Sequence, residues 1–235
     1  MDIGICTVSV AALRLEQSHQ SEMTSQILFG EAVDILERER KFTKVNMHFD
    51  GYEGWVDSSQ IKLISEEQFE QRKVQIVTNN FEVQKQEGKN ILLSTGSEID
   101  AENLPYFLNV DQIDIHAKEF LNVPYLWSGR SFFGVDCSGF IQLLYKIHGI
   151  NLPREAPQQA EKGEVLSFVE ECKAGDLAFF ENEEGAITHV GMMISTHQII
   201  HASGKVRIDF LDSSGIFNSE LKKHTHKLRF IRSIF

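Results

Sequence analysis

The sequence predicts an α+β protein in which a small β-barrel module precedes a domain with one buried helix and a small sheet. Three observations support this prediction. Residues 1–64 alternate short apolar runs with polar turns, a pattern typical of small β-barrels. Helical spacing of apolar residues begins only near Asp111. A second helical stretch, residues 139–148, is followed by segments of strand-like composition.

The first module contains six short segments with the composition of β-strands. They are residues 5–10, 11–15, 27–29, 32–36, 44–49 and 52–56. Asp50 and Gly51 lie between the last two, and an Asp-Gly pair between β-prone segments is a strong hairpin signal. Ser65 followed by acidic residues predicts a short helix or linker that closes the module. We therefore expect a β module over residues 1–64.

The middle of the chain returns to β-type patterning before the helical pattern begins. Residues 73–108 predict additional hairpins, so we interpret residues 65–110 as a linker with extra β structure. Ile113 and Ala117 then begin a helical stripe that Pro124 terminates. We place the second domain at residues 111–235.

The second domain is expected to contain a buried helix followed by three antiparallel strands. The helix at 139–148 has one apolar stripe and a C-terminal cap, formed by Phe140, Leu143, Leu144, Ile147 and Gly149. The strand-like segments are residues 176–180, 189–194 and 198–201.

Charge and hydropathy exclude several kinds of partner. The 235 residues carry a formal net charge of −11, which repels phosphate backbones and anionic membranes, so we expect no nucleic acid partner. No run of about 18 apolar residues occurs, and we expect no membrane association. Asp2 stands where a signal peptide carries positive charge. We expect a cytoplasmic protein, or an exported one if a native leader has been replaced by Met1, and no obligate protein partner is evident.

One of the three cysteines stands where a nucleophile is expected. Cys6, Cys137 and Cys172 form no C-x-x-C pair, so neither a disulfide framework nor a thiolate zinc site is indicated. Cys137 immediately precedes the apolar stripe, with Asp136 as a candidate N-cap. At the first turn of a helix the dipole and the unpaired N–H groups favour the thiolate and can lower its pKa.

Two histidines on neighbouring strand segments are the candidate partners of this thiol. His189 and His201 flank a predicted turn that contains His197. Whether they share a face depends on the strand register, because a slip of one residue moves a side chain to the other face. If they do, His189 can serve as base for Cys137 and His201 can orient it. A zinc site built from the same three residues, with His197, is an alternative; we otherwise expect no cofactor or metal.

Four ordered segments resemble a known family. D-C-S-G-F at 136–140, G-D-L at 175–177, H-V-G at 189–191 and I-H-A-S at 200–203 match segments of the NlpC and p-sixty cell-wall cysteine peptidases. Residues 124–129 resemble the aromatic segment that precedes the nucleophile. Residues 1–64, with G-Y-E-G-W at 51–55, resemble the bacterial SH3-like module that precedes this domain in γ-D-glutamyl-L-diamino acid endopeptidases.

This resemblance implies a papain-like cysteine peptidase domain preceded by an SH3-like module. The implied reaction is hydrolysis of the amide between γ-linked D-glutamate and a diamino acid such as diaminopimelate, in murein stem peptides with a free N-terminal L-alanine. Cys137 would be the nucleophile, His189 the acid and base, and His201 the orienting residue.

The resemblance also implies a set of substrate-binding residues. Asp136 is the leading candidate for the substrate ammonium, with Tyr52 and Glu22 as further candidates. Ser138, Tyr125 and Trp127 would line the groove. The sequence departs from the family at Ser128, where many relatives have glycine. It also departs at residues 155–157, where Glu, Ala and Pro replace a stretch that often carries a small hydroxyl residue.

Two alternative functions remain open. An amidase or acyltransferase acting on another amide or lipid could employ the same Cys-His-His site, although the net charge and the lack of an apolar span argue against a lipid substrate. The remaining alternative is a wall-binding protein with an inert peptidase half, which the intact Cys137, His189 and His201 disfavour.

Overall fold

The computed structural model describes residues 2–86, 88–101 and 106–235 and divides into two compact units. The first unit comprises Met1–Leu108 and Trp127–Phe133, and the second comprises Asn109–Leu126 and Gly134–Phe235. The segment around Trp127 therefore groups with the first unit, although the sequence assigned it to the second domain.

The first unit is built on one antiparallel sheet. Its strands are β1 (Ile3–Cys6), β2 (Val10–Arg14), β3 (Met23–Leu28), β4 (Ala32–Arg38), β5 (Phe42–Met47), β6 (Glu53–Asp57) and β7 (Ile61–Ile64). The sheet order is β3-β2-β6-β5-β4-β1-β7. The alternating apolar residues of these strands form a buried cluster that includes Leu13, Ile27, Val45 and Val56. This is the small SH3-like barrel that the sequence predicts.

The local turn and cap signals of this unit are confirmed. Strands β5 and β6 form a hairpin in the register Val45↔Gly54, and Gly51 at its turn has a φ of 71°. Ser65 caps the short helix α1 (Glu66–Glu70), and its hydroxyl accepts from the backbone N–H of Gln68 at 3.1 Å. A single turn of 3-10 helix, Ser58–Gln60, precedes β7.

The rest of the first unit consists of short paired strands. They are β8 (Val74–Ile76), β9 (Phe81–Gln86), β10 (Lys89–Ser94), β11 (Glu98–Asp100) and β12 (Arg130–Ser131). β9 pairs with β10 and β8 pairs with β11, both antiparallel, as expected for the additional hairpins of residues 73–108. Residues 102–105 of that stretch lie outside the described residues.

The second unit combines helices with a larger sheet. Its elements are α2 (Ile113–Lys118), β13 (Gly134–Val135), α3 (Cys137–Ile147), α4 (Ala156–Gln159), β14 (Glu164–Val165), β15 (Leu177–Glu181), β16 (Ile187–Ser195), β17 (Gln198–Ser203), β18 (Lys205–Asp212), β19 (Gly215–Asn218) and β20 (Lys223–Ser233), with 3-10 turns at Val110–Gln112 and Val169–Glu171. The prediction of three strands after the helix is therefore incomplete, because β18, β19 and β20 follow them.

The sheet of the second unit closes on itself. Its order is β14-β20-β15-β16-β17-β18-β19, and an additional pairing of β19 with β20 joins six strands into a ring. Helix α3 packs against β16 and β17. All eleven residues of α3 are buried, so the predicted buried helix is confirmed. Among the described residues, no helix is both long and apolar enough to cross a membrane.

Candidate active site

Cys137 is the first residue of α3, and the sequence immediately before it sets that position. The carboxylate of Asp136 accepts from the backbone N–H of Gly139 at 2.6 Å, which caps the helix as predicted. The Cys137 side chain is buried, with 9% of the residue exposed. Because α3 packs against β16, the thiol lies close to the backbone N–H of Val190, the residue after His189.

The two histidines share one face of the sheet. β16 and β17 pair in the register Met192↔Ile200, so the same register places Gly191 opposite His201 and puts His189 on the same face. His189 Nε2 lies 2.8 Å from His201 Nδ1, and both residues are buried. The sequence left this register open, and the structure brings the pair together.

His226 joins this pair from β20. Its ring stacks on the His189 ring, with the centroids 4.2 Å apart and the planes 27° from parallel. No sequence motif singles out His226, and the structure places its ring against His189. The sequence assigned no strand to this part of the chain, so no local signal connected the two rings.

Burial dominates the electrostatics of the thiol. It raises the pKa of Cys137 to about 11, and the carboxylate of Asp136 acts in the same direction. Backbone N–H groups of Val190 and Ser138 lower that pKa without offsetting the effect. The expectation that the helix start lowers the thiol pKa is therefore wrong for the free protein, because desolvation outweighs the backbone hydrogen bonds of Val190 and Ser138.

Burial acts on His189 in the complementary direction. It lowers the pKa of this imidazole well below its ordinary value, and the neighbouring His201 and His226 lower it further. For His226, burial and the adjacent His201 lower the pKa to about 4. At neutral pH the free protein thus holds a neutral thiol and a neutral imidazole. Such a pair can transfer a proton when a carbonyl carbon is presented to the sulfur.

Asp136 has a strong partner inside its own unit. Arg154 Nη2 donates to Asp136 Oδ2 at 2.6 Å, and Arg154 Nη1 donates to Asp136 Oδ1 at 3.1 Å and to Ser138 Oγ at 3.0 Å. The guanidinium offsets the charge of Asp136 and holds Ser138 in place. Binding of a substrate ammonium by Asp136 stays a prediction, and any such ammonium would share this carboxylate with Arg154.

Tyr125 lies close to Cys137 and Asp136. It lines a cavity of about 280 Å³ together with Thr188, His189, Ser203 and His226. Burial raises the pKa of Tyr125 to about 12, and the nearby Cys137 and Asp136 add to this effect. Its hydroxyl therefore stays protonated and can donate to a ligand in the cavity.

The other predicted binding residues lie in the first unit. Trp127 Nε1 donates to Glu22 Oε1 at 3.0 Å, and Trp127 is 65% exposed, which excludes core packing for its ring. Tyr52 is partly buried against the core of the small barrel. Glu22 and Trp127 are brought together, and Tyr52 takes part in the packing of the same unit.

Residues 155–157, where the sequence departs from the family that it resembles, lie at the start of α4. Ala156 is the first residue of this helix and is buried, so it offers no hydroxyl there. Gln159 of the same helix donates to the backbone carbonyls of Ser138 at 3.0 Å and Pro153 at 2.8 Å. α4 thus supports the start of α3.

The zinc alternative has no structural support within the described ranges. No group of three or more His, Cys, Asp or Glu side chains there is arranged to hold a metal ion. His197 instead stacks on Phe210, with centroids 5.6 Å apart.

Three partners of the site escaped the sequence analysis: Arg154, Asp209 and His226. Arg154 follows the Leu152-Pro153 pair, and nothing local indicates that it folds back onto Asp136. Asp209 could have been found from the alternation of Val206, Ile208 and Phe210, which predicts a strand next to the one that carries His201.

Comparisons with known proteins agree with this geometry. The NlpC/P60 family profile matches residues 122–229, and the profile of the bacterial dipeptidyl-peptidase SH3 domain matches residues 13–61. A γ-D-glutamyl-L-lysine dipeptidyl-peptidase of Bacillus subtilis is 46% identical over 85 residues, which are 35% of this chain and 28% of that protein. A protein of the same name from Bacillus cereus is 42% identical over 87 residues, 36% of this chain and 26% of that protein. These matches span between a quarter and a third of the relatives' lengths.

A solved structure extends the likeness of fold to the whole chain. The crystal structure of an NlpC/P60 family protein from Bacillus cereus superposes with a TM-score of 0.82 and covers 99% of both chains, at 22% identity. The chain therefore has a papain-like α+β domain preceded by an SH3-like barrel. Residues 122–229 are similar to the NlpC/P60 family, and residues 13–61 of the first unit are similar to a bacterial SH3 domain.

Proposed function

We propose that this chain is a cysteine endopeptidase that hydrolyses the γ-D-glutamyl–diamino acid amide of murein stem peptides. The observation that carries the proposal is a buried thiol at the start of α3, which packs against β16 and β17, the two strands that bear the bonded pair His189 and His201. The names of the two Bacillus relatives support peptidoglycan peptides as the substrate class.

The chemistry follows from the protonation states of the site. As Cys137 Sγ attacks the γ-carbonyl carbon, the thiol proton passes to His189 Nδ1, because Nε2 is engaged with His201. Backbone N–H groups at the start of α3 stabilise the oxyanion. His189 then donates this proton to the departing nitrogen of the diamino acid, and the C–N bond breaks to leave a thioester.

Water completes the cycle. His189 takes a proton from the water that attacks the thioester, the C–S bond breaks, and the proton returns to the sulfur of Cys137. The products are a dipeptide with a free γ-carboxyl group and a free diamino acid or the peptide that follows it. No redox partner or cofactor enters this balance.

We further propose that the substrate must carry a free N-terminal L-alanine. Glu22 and Tyr52 are the residues that the resemblance assigns to the substrate ammonium, together with Asp136. The hydrogen-bond partners of Glu22 fit this role better than those of Asp136. In the described part of the chain it accepts from the uncharged indole of Trp127, whereas Asp136 already pairs with Arg154. A carboxylate that is not already paired gains more from binding a cation.

Mass spectrometry of defined peptides tests both parts of the proposal. L-Ala-γ-D-Glu-diaminopimelate should give L-Ala-γ-D-Glu and diaminopimelate, and the N-acetylated peptide should stay intact. In H₂¹⁸O the label should enter the γ-carboxyl of the dipeptide, which distinguishes hydrolysis from transfer to another amine. Cleavage between alanine and glutamate would contradict the assignment of the bond. Equal rates on both peptides would contradict the requirement for a free terminus.

A further inference from the structure

The orienting histidine His201 is itself held by a buried carboxylate. His201 Nε2 lies 3.0 Å from Oδ2 of Asp209, and Asp209 is 6% exposed. β17 and β18 pair in the registers His201↔Arg207 and Ile199↔Asp209, so His201 and Asp209 are diagonal neighbours on one face. Three buried side chains therefore form a continuous chain of hydrogen bonds from His189 through His201 to Asp209.

Asp209 is held in its ionised form by the donors around it. Arg207 Nε donates to Asp209 Oδ2 at 2.7 Å, and Arg207 Nη2 donates to Oδ1 at 2.9 Å. Burial opposes ionisation, but the hydrogen bonds from His201 and Arg207 prevail and lower the pKa of Asp209. Arg207 also compensates the charge of the carboxylate. Asp209 can thus accept from His201 while Arg207 balances its charge.

An ionised carboxylate determines which nitrogen of His201 carries the proton. A carboxylate only accepts hydrogen bonds, so the proton of neutral His201 must lie on Nε2. The Nδ1 of His201 is then an acceptor, and His189 must donate to it from Nε2. This leaves Nδ1 as the basic nitrogen of His189.

We propose that Asp209 is a positioning residue of the reaction, which acts through His201 to keep Nδ1 of His189 free for the thiol proton of Cys137. The expected effect on turnover rests on the proposed function. The expected tautomer of His201 is a property of the protein without substrate. Asp209 itself touches no reacting atom.

The variant Asp209→Asn tests the proposal with a nearly unchanged side-chain volume. An amide can donate as well as accept, so it no longer imposes one tautomer on His201. We expect kcat on the murein tripeptide to fall roughly 10- to 100-fold with little change in KM, by analogy with the loss of an outer hydrogen-bond partner of a metal-bound histidine. Asp212→Asn is the matched control, because Asp212 ends the same strand and binds the exposed His224 at 3.0 Å. It should keep wild-type kinetics.

Imidazole ¹⁵N NMR of the unmodified protein gives a result that depends on no variant and no substrate. Wild-type His201 should show a protonated Nε2 and an unprotonated Nδ1, and Asp209→Asn should show a mixture of tautomers. The rate of Cys137 alkylation by iodoacetamide at neutral pH should fall in the same variant. A wild-type His201 protonated on Nδ1 would overturn the proposal, as would wild-type kcat in a folded Asp209→Asn protein. If the wild type cleaves no murein peptide but shows the expected tautomers, the proposed function fails while the positioning role stands.

Discussion

Gly191 lies so close to His201 that a Cβ atom at residue 191 would be 2.8 Å from the Cβ of His201 and 2.7 Å from a methyl carbon of Ile199. The glycine of the H-V-G segment is therefore required by packing: its missing side chain lets β17 approach β16 and brings His201 to His189. We predict that Gly191→Ala separates the two rings. Overpacking of this kind costs about 1–3 kcal/mol of stability.

The measurement for Gly191→Ala is twofold. Peptide hydrolysis should fall steeply, while thermal unfolding shows only the moderate loss expected from overpacking. Retention of wild-type turnover by this variant would mean that the His189–His201 contact does not matter for the reaction.

Removal of the proposed nucleophile should abolish the reaction without unfolding the protein. Cys137→Ala removes one sulfur from a buried helix start whose cap, Asp136, does not depend on the thiol. We expect no detectable release of diaminopimelate from L-Ala-γ-D-Glu-diaminopimelate and a cooperative melt. Cys172→Ala is the control, since this buried cysteine lies outside the site, and it should retain activity. Turnover by Cys137→Ala would refute the thiol mechanism.

On the acid side of the pH profile, the decline of activity (the acid limb) should lie below the ordinary pKa of histidine. His189 must be unprotonated to accept the thiol proton, and burial together with His201 and His226 lowers its pKa well below 6.5. Activity should therefore persist as the pH falls through 6.5 and decline only when the lowered pKa of His189 is reached. A profile of kcat/KM against pH measures this limb.

A neighbouring variant gives this prediction a sharper test. His226→Gln removes a ring that both shields His189 and lowers its pKa, so the acid limb should move upward towards pH 6.5. His224→Gln lies two residues earlier on the same strand, where His224 binds Asp212, and it should leave the limb unchanged. Identical limbs in both variants would contradict the assigned role of the stacked ring.

The first unit contains a buried ion pair whose separation should be costly. Arg130 Nη1 and Nη2 donate to the carboxylate of Glu31 at 2.7 and 2.9 Å, and both side chains are almost fully buried. Arg130→Met should destabilise the protein by about 3–5 kcal/mol, because it removes the guanidinium that compensates the buried carboxylate of Glu31. Denaturant unfolding measures the loss.

Two comparison variants isolate the role of this charge. Adding Glu31→Gln to Arg130→Met removes the buried charge that Arg130 compensates and should restore part of the stability. Lys44→Met breaks the exposed pair with Glu53 and should cost less than about 1 kcal/mol. If the double variant is no more stable than Arg130→Met alone, the charge of Glu31 does not cause the loss of stability in Arg130→Met.

Much of the fold could be predicted because its signals are local. Alternating residues indicated the strands of the small barrel, Asp50 and Gly51 indicated the β5–β6 turn, and Ser65 and Asp136 indicated two helix starts. The strands after residue 204 escaped prediction. The alternation in β18 was not recognised, and β20 pairs with β15, which is distant in the chain, so no local turn indicates the pairing.

The sequence by itself determined the residue types of the site, their order and the helix start that carries Cys137. Only the tertiary structure decided three matters. Strand register placed His189 and His201 on one face and added Asp209 and His226 to them. Folding of the chain brought Arg154 onto Asp136. Burial set the protonation of the thiol. Each depends on contacts between residues distant in sequence or on the exclusion of water, and neither property belongs to a local pattern.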